Sequence, residues 1–221
     1  HAERAFLEDF RGTIGPEDVL YVNLEPCCHQ GKTPPCTDII RERGVKHIVF
    51  GMIDPNPMMA GKGIEALRGA GIECVGPMER ARCEWLNRGF VSLQCRNRPW
   101  MTIHAAQTRT GTIARSDGRP LKITSPGQDR WTHEWLRARH DAILVGVQTV
   151  ISDDPQLTAR LVPGVPSPLR IVLDPHLRIP LDARLVGEKF VSSTMIIAAP
   201  GSDPAKLLKL QEKGVRVEQV S

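Results

Sequence analysis

The sequence predicts two successive layered α/β units, on three observations. Strand and helix signals alternate through the first half of the 221 residues, the pattern of a layered α/β domain. A polar run, Gln94-Cys95-Arg96-Asn97-Arg98-Pro99, then interrupts that alternation and marks a boundary between residues 1-96 and 99-221. All six cysteines lie at or before Cys95, so the two halves differ in chemistry as well as in order.

In the first unit, Ala2 to Phe10 reads as a helix and Val19 to Leu24 as a strand that runs into a cysteine-containing loop. Thr37 to Arg43 is a helix closed by Gly44, Lys46 to Met52 a strand, and Ile64 to Ala70 a helix stopped by Gly71. Glu79 to Arg88 is one further helix. In the second unit, Trp100 to Ala106 reads as a strand. Pro126 opens a helix on which Trp131, Trp135 and Leu136 repeat at helical spacing, so the tryptophans are expected in the core. Asp141 to Val147, Leu169 to Asp174, Thr194 to Ala199 and Val215 to Val220 are strands, and Pro204 to Lys213 is a helix opened by proline.

The most specific chemistry lies in His1-Ala2-Glu3 and in Glu25-Pro26-Cys27-Cys28-His29-Gln30-Gly31-Lys32-Thr33-Pro34-Pro35-Cys36. A catalytic zinc takes three protein ligands from imidazole and thiolate and keeps a fourth position for water. His1, Cys27 and Cys36 supply that set. Zinc nucleobase deaminases carry His-x-Glu followed by Pro-Cys-x-x-Cys, the glutamate serving as acid and base without binding metal, and Glu3 has that position. The chain departs from the pattern in placing eight residues between Cys27 and Cys36. Cys28, adjacent to Cys27, is read as a bystander, with an exchange of Cys28 for Cys27 left open. Closed structural zinc sites use short paired spacings that this chain lacks. Cys36 falls at a helix amino end, where the macrodipole favours a thiolate.

Leu24-Glu25-Pro26-Cys27 through Thr33-Pro34-Pro35-Cys36, then Asp54-Pro55-Asn56-Pro57 and Ala60-Gly61-Lys62-Gly63, resemble the bifunctional pyrimidine deaminase/reductases of riboflavin biosynthesis. The likeness continues through Leu86-Asn87-Arg88-Gly89-Phe90, Leu136-Arg137-Ala138, Ala142-Ile143-Leu144-Val145-Gly146 and Asp153-Asp154-Pro155-Gln156-Leu157-Thr158. It implies a cytidine-deaminase-like three-layer domain followed by a partial dihydrofolate-reductase-like α/β domain. It implies zinc-dependent removal of an exocyclic amino group from a phosphoribosylated diaminopyrimidinone, then NADPH reduction of the ribosyl group to ribityl. Lys32 and Thr33 would bind the substrate's phosphate, and Asp54 and Asn56 would line the site, although Asp-Pro-Asn-Pro is also a good turn. Arg137, Leu157 and Arg160 match residues that hold the phosphoribosyl part, and Ala106, Thr149 and Asp153 match residues that hold the cofactor.

The chain departs from the family at Lys122, where a tryptophan commonly faces the cofactor, at His104 in place of a lysine, and at Thr108-Arg109-Thr110-Gly111 in place of Ser-Leu-Asp-Gly. No Gly-x-Gly-x-x-Gly segment occurs. With a metal ligand as residue 1, the expectation is a fragment of a longer enzyme, shortened at both ends.

Residues 1 to 98 hold 13 basic and 13 acidic side chains and residues 99 to 221 hold 16 and 12, so the net charge of +4 resides in the second half. That mild excess fits a phosphorylated small molecule and lacks the concentrated basic stripes of nucleic-acid binding. No apolar stretch approaches the ~20 residues that span a bilayer, and the cysteine usage suits a reducing cytoplasm. A soluble cytoplasmic homo-oligomer with no nucleic-acid or membrane partner is expected. Two rival readings are a nucleoside or nucleic-acid deaminase and a non-catalytic zinc-stabilised module.

Overall fold

A computed structural model describes residues 1–31, 33–116 and 121–220. They fall into two compact units, His1–Ile103 and His104–Ser221, so the contact boundary follows the polar run at residues 94–99 by a few residues.

The first unit contains helices α1 (Ala2–Asp9), α2 (Cys36–Glu42), α3 (Lys62–Gly69), α4 (Arg80–Leu86) and α5 (Arg88–Arg96) and strands β1 (Val19–Val22), β2 (His47–Phe50) and β3 (Glu73–Val75). The strands form one parallel sheet in the order β1-β2-β3. Ile48 and Phe50 of β2 turn into a core with Leu7, Ile39, Ile40, Ile64 and Leu67 from three helices. This two-residue alternation on the strand and the helical spacing on α2 and α3 place apolar side chains between the layers. Gly44 (φ 75°) and Gly71 (φ 77°) follow α2 and α3 in the left-handed conformation that ends a helix without a Cβ penalty.

The helix expected over 79–88 forms as α4, and a further helix not expected from sequence, α5, follows it directly. Asn87 sits between α4 and α5 with φ −93° and ψ 15°, and its side-chain amide donates to the Cys83 carbonyl at 2.9 Å, a local bond that competes with the helical ladder. Helix α5 covers the first half of the polar run at 94–99 and is capped by Asn97 (φ 49°). The strand expected over Trp100 to Ala106 does not form: the segment has no regular structure, and Met101 and Ile103 are exposed. None of the described strands pairs with this run, and a short alternating run unpaired in this way has no reason to extend as a sheet.

The second unit begins with α6 (Pro126–Trp131), whose N-terminus carries a reciprocal capping box: the Gln128 N–H donates to Ser125 Oγ at 3.3 Å and the Ser125 N–H to Gln128 Oε1 at 2.8 Å. A π-helical turn (Thr132–Leu136) and a 3₁₀ turn (Arg137–Arg139) follow. Next come β4 (Ala142–Gly146), α7 (Val147–Asp153), β5 (Leu169–Leu173), β6 (Thr194–Ala198), α8 (Pro204–Glu212) and β7 (Arg216–Gln219). All four strands are parallel, in the order β4-β5-β6-β7. The core gathers Val147, Val150, Leu157, Val172, Ile196 and Leu210.

Trp131 and Trp135 are half exposed, against the expectation of a core position, and the Arg139 guanidinium lies 3.9 Å from the centre of the Trp135 ring. The π turn explains the difference. Its wider winding changes which residues face inward, and His133, 3% exposed, takes the buried position. Among the described residues, no helix is long and apolar enough to cross a membrane.

Candidate functional site

His1 precedes α1, Cys27 lies within the loop between β1 and α2, and Cys36 is the first residue of α2. Their donor atoms lie within 4.8 Å of one another. Nδ1 of His1 is 3.4 Å from Cys27 Sγ, and that sulfur accepts the Cys36 N–H at 3.3 Å. A tetrahedron with metal bonds of about 2.0 to 2.3 Å has edges of about 3.3 to 3.8 Å, so the 3.4 Å between His1 Nδ1 and Cys27 Sγ matches one edge of a zinc site, with the Cys36 sulfur within 4.8 Å of both. Cys28 is outside this group. The Glu3 carboxylate accepts from Cys36 Sγ at 3.4 Å, which puts an acid/base group at the edge of the donor set.

Burial pushes the Cys36 thiol up, and the neighbouring Glu3 carboxylate and Cys27 push the same way. In the absence of a cation, desolvation and these two neighbours oppose the thiolate that the amino end of α2 favours. A divalent cation among the sulfurs would reverse that balance. Burial also raises the Cys28 thiol, with Glu25 and Cys27 adding to it.

Around the donors, the Thr37 N–H donates to the Cys27 carbonyl at 3.1 Å and closes the loop onto α2. Thr33 is exposed on that loop, and Lys32 lies outside the described residues. Asp54 and Asn56 use their side chains on their own turn, where Asp54 Oδ1 accepts the Asn56 N–H at 2.8 Å and Asn56 Oδ1 the Met58 N–H at 3.0 Å. The residue that sequence reasoning left without a role is Glu25. It is 4% exposed, and its carboxylate accepts the backbone N–H groups of Asp54, Gly61, Gly63 and Ile64 at 3.0, 2.9, 2.8 and 3.2 Å. A groove of about 700 Å³ beside α3, lined by Phe50, Ile53, Gly61 and Ile64 among others, includes none of the metal donors.

The second unit gathers a cationic cluster. Arg137 donates to the Thr158 carbonyl at 3.1 Å, and Arg160 donates to Thr158 Oγ1 at 3.5 Å. Among the described residues no carboxylate pairs with either guanidinium, and Nε of Arg137 is buried without a partner. Burial, then the charge on Arg160, pulls the Arg137 pKa down. His133 completes the cluster, its Nε2 3.4 Å from Arg137 and its Nδ1 3.5 Å from the Leu161 N–H. Such a set can receive a phosphate, whose oxygens match the planar guanidinium fork. Leu157, at φ 50°, puts its side chain into the core, so only its backbone can meet a ligand.

The residues matched to cofactor binding are spread over three segments. Thr149 and Asp153 stand one turn apart on α7, and Ala106 is half-buried in the extended stretch after residue 103. Lys122 is exposed and ion-paired with Asp129, whose carboxyl it holds below the ordinary range with help from Thr124. Sequence reasoning missed Thr158 and His133. Both are buried polar residues beside the two arginines, a signal that becomes visible only once burial is known.

The model of the RibD C-terminal domain matches residues 99–220. The riboflavin biosynthesis protein RibD of Aquifex aeolicus is 46% identical over 199 residues, covering 90% of this chain and 54% of the relative. That of Actinobacillus pleuropneumoniae is 39% identical over 221 residues, covering 98% of this chain and 57% of the relative. The chain thus spans about half the length of the curated relatives it matches. Among solved structures, a form of Acinetobacter baumannii RibD superposes with a TM-score of 0.79 at 31% identity, over 90% of this chain and 55% of that one. A Thermotoga maritima protein described as a diaminohydroxyphosphoribosylaminopyrimidine deaminase/5-amino-6-(5-phosphoribosylamino)uracil reductase gives 0.75 at 32% identity, over 90% of this chain and 54% of that one. A domain match over more than half the residues, and likenesses that run through both units, place the α/β fold and its parallel sheets in one lineage: the chain belongs to the RibD family of riboflavin biosynthesis proteins.

Proposed function

We propose that the chain carries the two catalytic units of a riboflavin-pathway enzyme. Residues 1–96 are a cytidine-deaminase-like, three-layer deaminase domain and residues 99–221 a dihydrofolate-reductase-like domain that uses NADPH. The observation that carries this reading is the convergence of His1 Nδ1, Cys27 Sγ and Cys36 Sγ within 4.8 Å, with the Glu3 carboxylate 3.4 Å from the Cys36 sulfur.

His1, Cys27 and Cys36 would hold zinc, which when bound supplies Lewis acidity that brings the ionisation of water towards neutral pH. Glu3 takes a proton from the attacking water as its oxygen joins the amidine-like ring carbon of 2,5-diamino-6-(5-phosphoribosylamino)pyrimidin-4(3H)-one, then gives it to the exocyclic nitrogen, which leaves as ammonia. Lys32 and Thr33 bind the phosphate, and Asp54 and Asn56 line the pyrimidine side through their backbone and the lone pairs their turn leaves over. In the second unit Arg137 and Arg160 hold the phosphate of the deaminated substrate and Leu157 contributes its backbone. Ala106, Lys122, Thr149 and Asp153 hold NADPH, the hydride source for reducing the ring-opened ribose. Phosphate recognition and the modest charge of the second half favour this small-molecule substrate over nucleic acid.

The test is to supply the full-length, zinc-loaded protein with the phosphoribosylaminopyrimidine and, separately, with cytidine. Ammonia release from the former, followed by NADPH oxidation, is expected. Release from cytidine alone would replace this reading with a nucleoside deaminase, and zinc binding without either would replace it with a zinc-stabilised module.

A further inference from the structure

The buried carboxylate of Glu25 is two residues from Cys27 yet is not among the grouped donors His1, Cys27 and Cys36. Its two oxygens divide four backbone donors: Oε2 takes the N–H groups of Asp54 and Gly61, and Oε1 those of Gly63 and Ile64. Three features of the surrounding chain depend on this. Helix α3 has Gly61 as its N-cap and no cap from its own side chains, so its first N–H groups are satisfied by a residue 36 to 39 positions earlier in sequence. Gly63 packs so closely on the Glu25-Pro26 segment that a Cβ there would collide with the Pro26 carbonyl oxygen. The Glu25 N–H also donates to the Met52 carbonyl at 2.9 Å, which aligns the start of the metal loop with the start of the Asp54-Pro55-Asn56 turn.

The loop that presents Asp54 and Asn56 therefore touches the metal-binding segment through one carboxylate. A shorter or neutral side chain cannot serve all four N–H groups, because an amide offers one oxygen where a carboxylate offers two. We infer that Glu25 is a positioning residue for deamination, holding the Asp54–Ile64 loop in register with Cys27 so that the pyrimidine is received at the metal. Its kinetic consequence rests on the deaminase reading; its geometric consequence does not.

Two variants of the full-length, zinc-loaded protein test this, Glu25→Gln and Glu25→Asp. Glu25→Gln is expected to retain one zinc per chain and to exchange backbone amide hydrogens faster at Asp54, Gly61, Gly63 and Ile64 than elsewhere in the first unit. With the phosphoribosylaminopyrimidine its KM is expected to rise about tenfold or more while kcat changes little, the signature of lost substrate placement without lost chemistry. Glu25→Asp, which keeps the charge but not the reach, is expected to fall between Glu25→Gln and wild type. Unchanged exchange at those four amides in Glu25→Gln would overturn the inference, as would faster exchange throughout the unit with kcat and KM failing together, since that marks a residue needed only for folding. Should the wild-type protein hold zinc without deaminating, the exchange pattern alone decides whether Glu25 fixes the loop, and the deaminase reading fails separately.

Discussion

Glu3 stands at 3.4 Å from the Cys36 sulfur, one contact away from the metal donors yet outside them, and this separates its removal from theirs. Glu3→Gln is expected to lower deamination by roughly 10²- to 10⁴-fold with zinc retained, as checked by ammonia release beside elemental analysis. Cys36→Ala is expected to lose the metal and Cys28→Ala to keep it, because Cys36, unlike Cys28, brings its sulfur within the donor group; stoichiometric zinc in Cys36→Ala would refute the assignment. His133 gives a pH dependence with a definite sign. Burial and then Arg137 and Arg160 hold its pKa below the ordinary imidazole value of 6.5, so the folded chain keeps it neutral where the unfolded chain takes up a proton. A neutral imidazole also keeps one lone pair for the two donors that face its ring, and protonation removes it. The stability this confers is complete above about pH 6.5 and declines as pH falls below it, because there the unfolded state binds more protons. Thermal unfolding from pH 7.5 to 5 is expected to show a falling midpoint for the second unit and a flatter profile in His133→Gln.

At the scale of elements, the capping box on α6 offers a measurable contribution: Ser125→Ala is expected to cost about 1 kcal/mol in urea unfolding, since it strips an N–H partner from the first turn. Pro126 made the start of that helix legible, as Pro204 made the start of α8, where Asp203 caps by accepting the Ala205 N–H at 2.9 Å. What the sequence concealed has physical causes. The strand β3 is three residues long, too short for alternation to register, and exists because Ile48 and Val49 of β2 offer it a parallel edge. The helix α7 follows β4 without a break, and its Val147-Gln148-Thr149-Val150-Ile151 carries strand-favouring residues that packing of Val147 and Val150 overrides. The stretch from Trp100 to Ala106 shows the opposite error, strand propensity that none of the described strands takes up into a sheet. Within the site, the grouping of His1, Cys27 and Cys36 could be read because ligand chemistry restricts residue type and spacing. Glu25 could not, because four backbone donors from a distant loop leave no side-chain pattern in sequence.

For the molecule as a whole, the grouped His1, Cys27 and Cys36 belong to the first unit and the guanidinium cluster to the second. Chelation of zinc from the full-length enzyme is therefore expected to abolish deamination while NADPH oxidation continues when the deaminated pyrimidine is supplied; loss of both would show that the second activity depends on the metal. The strand orders carry a different consequence. Both sheets are parallel and list their strands in the order of the chain, β1-β2-β3 and β4-β5-β6-β7. Each later strand thus docks on one that has already been synthesised, at about 5 to 20 residues per second of translation. Growth of either sheet can follow the ribosome in a single direction, one crossover at a time, and an added strand does not wait for a partner encoded downstream before it covers the open edge of its predecessor.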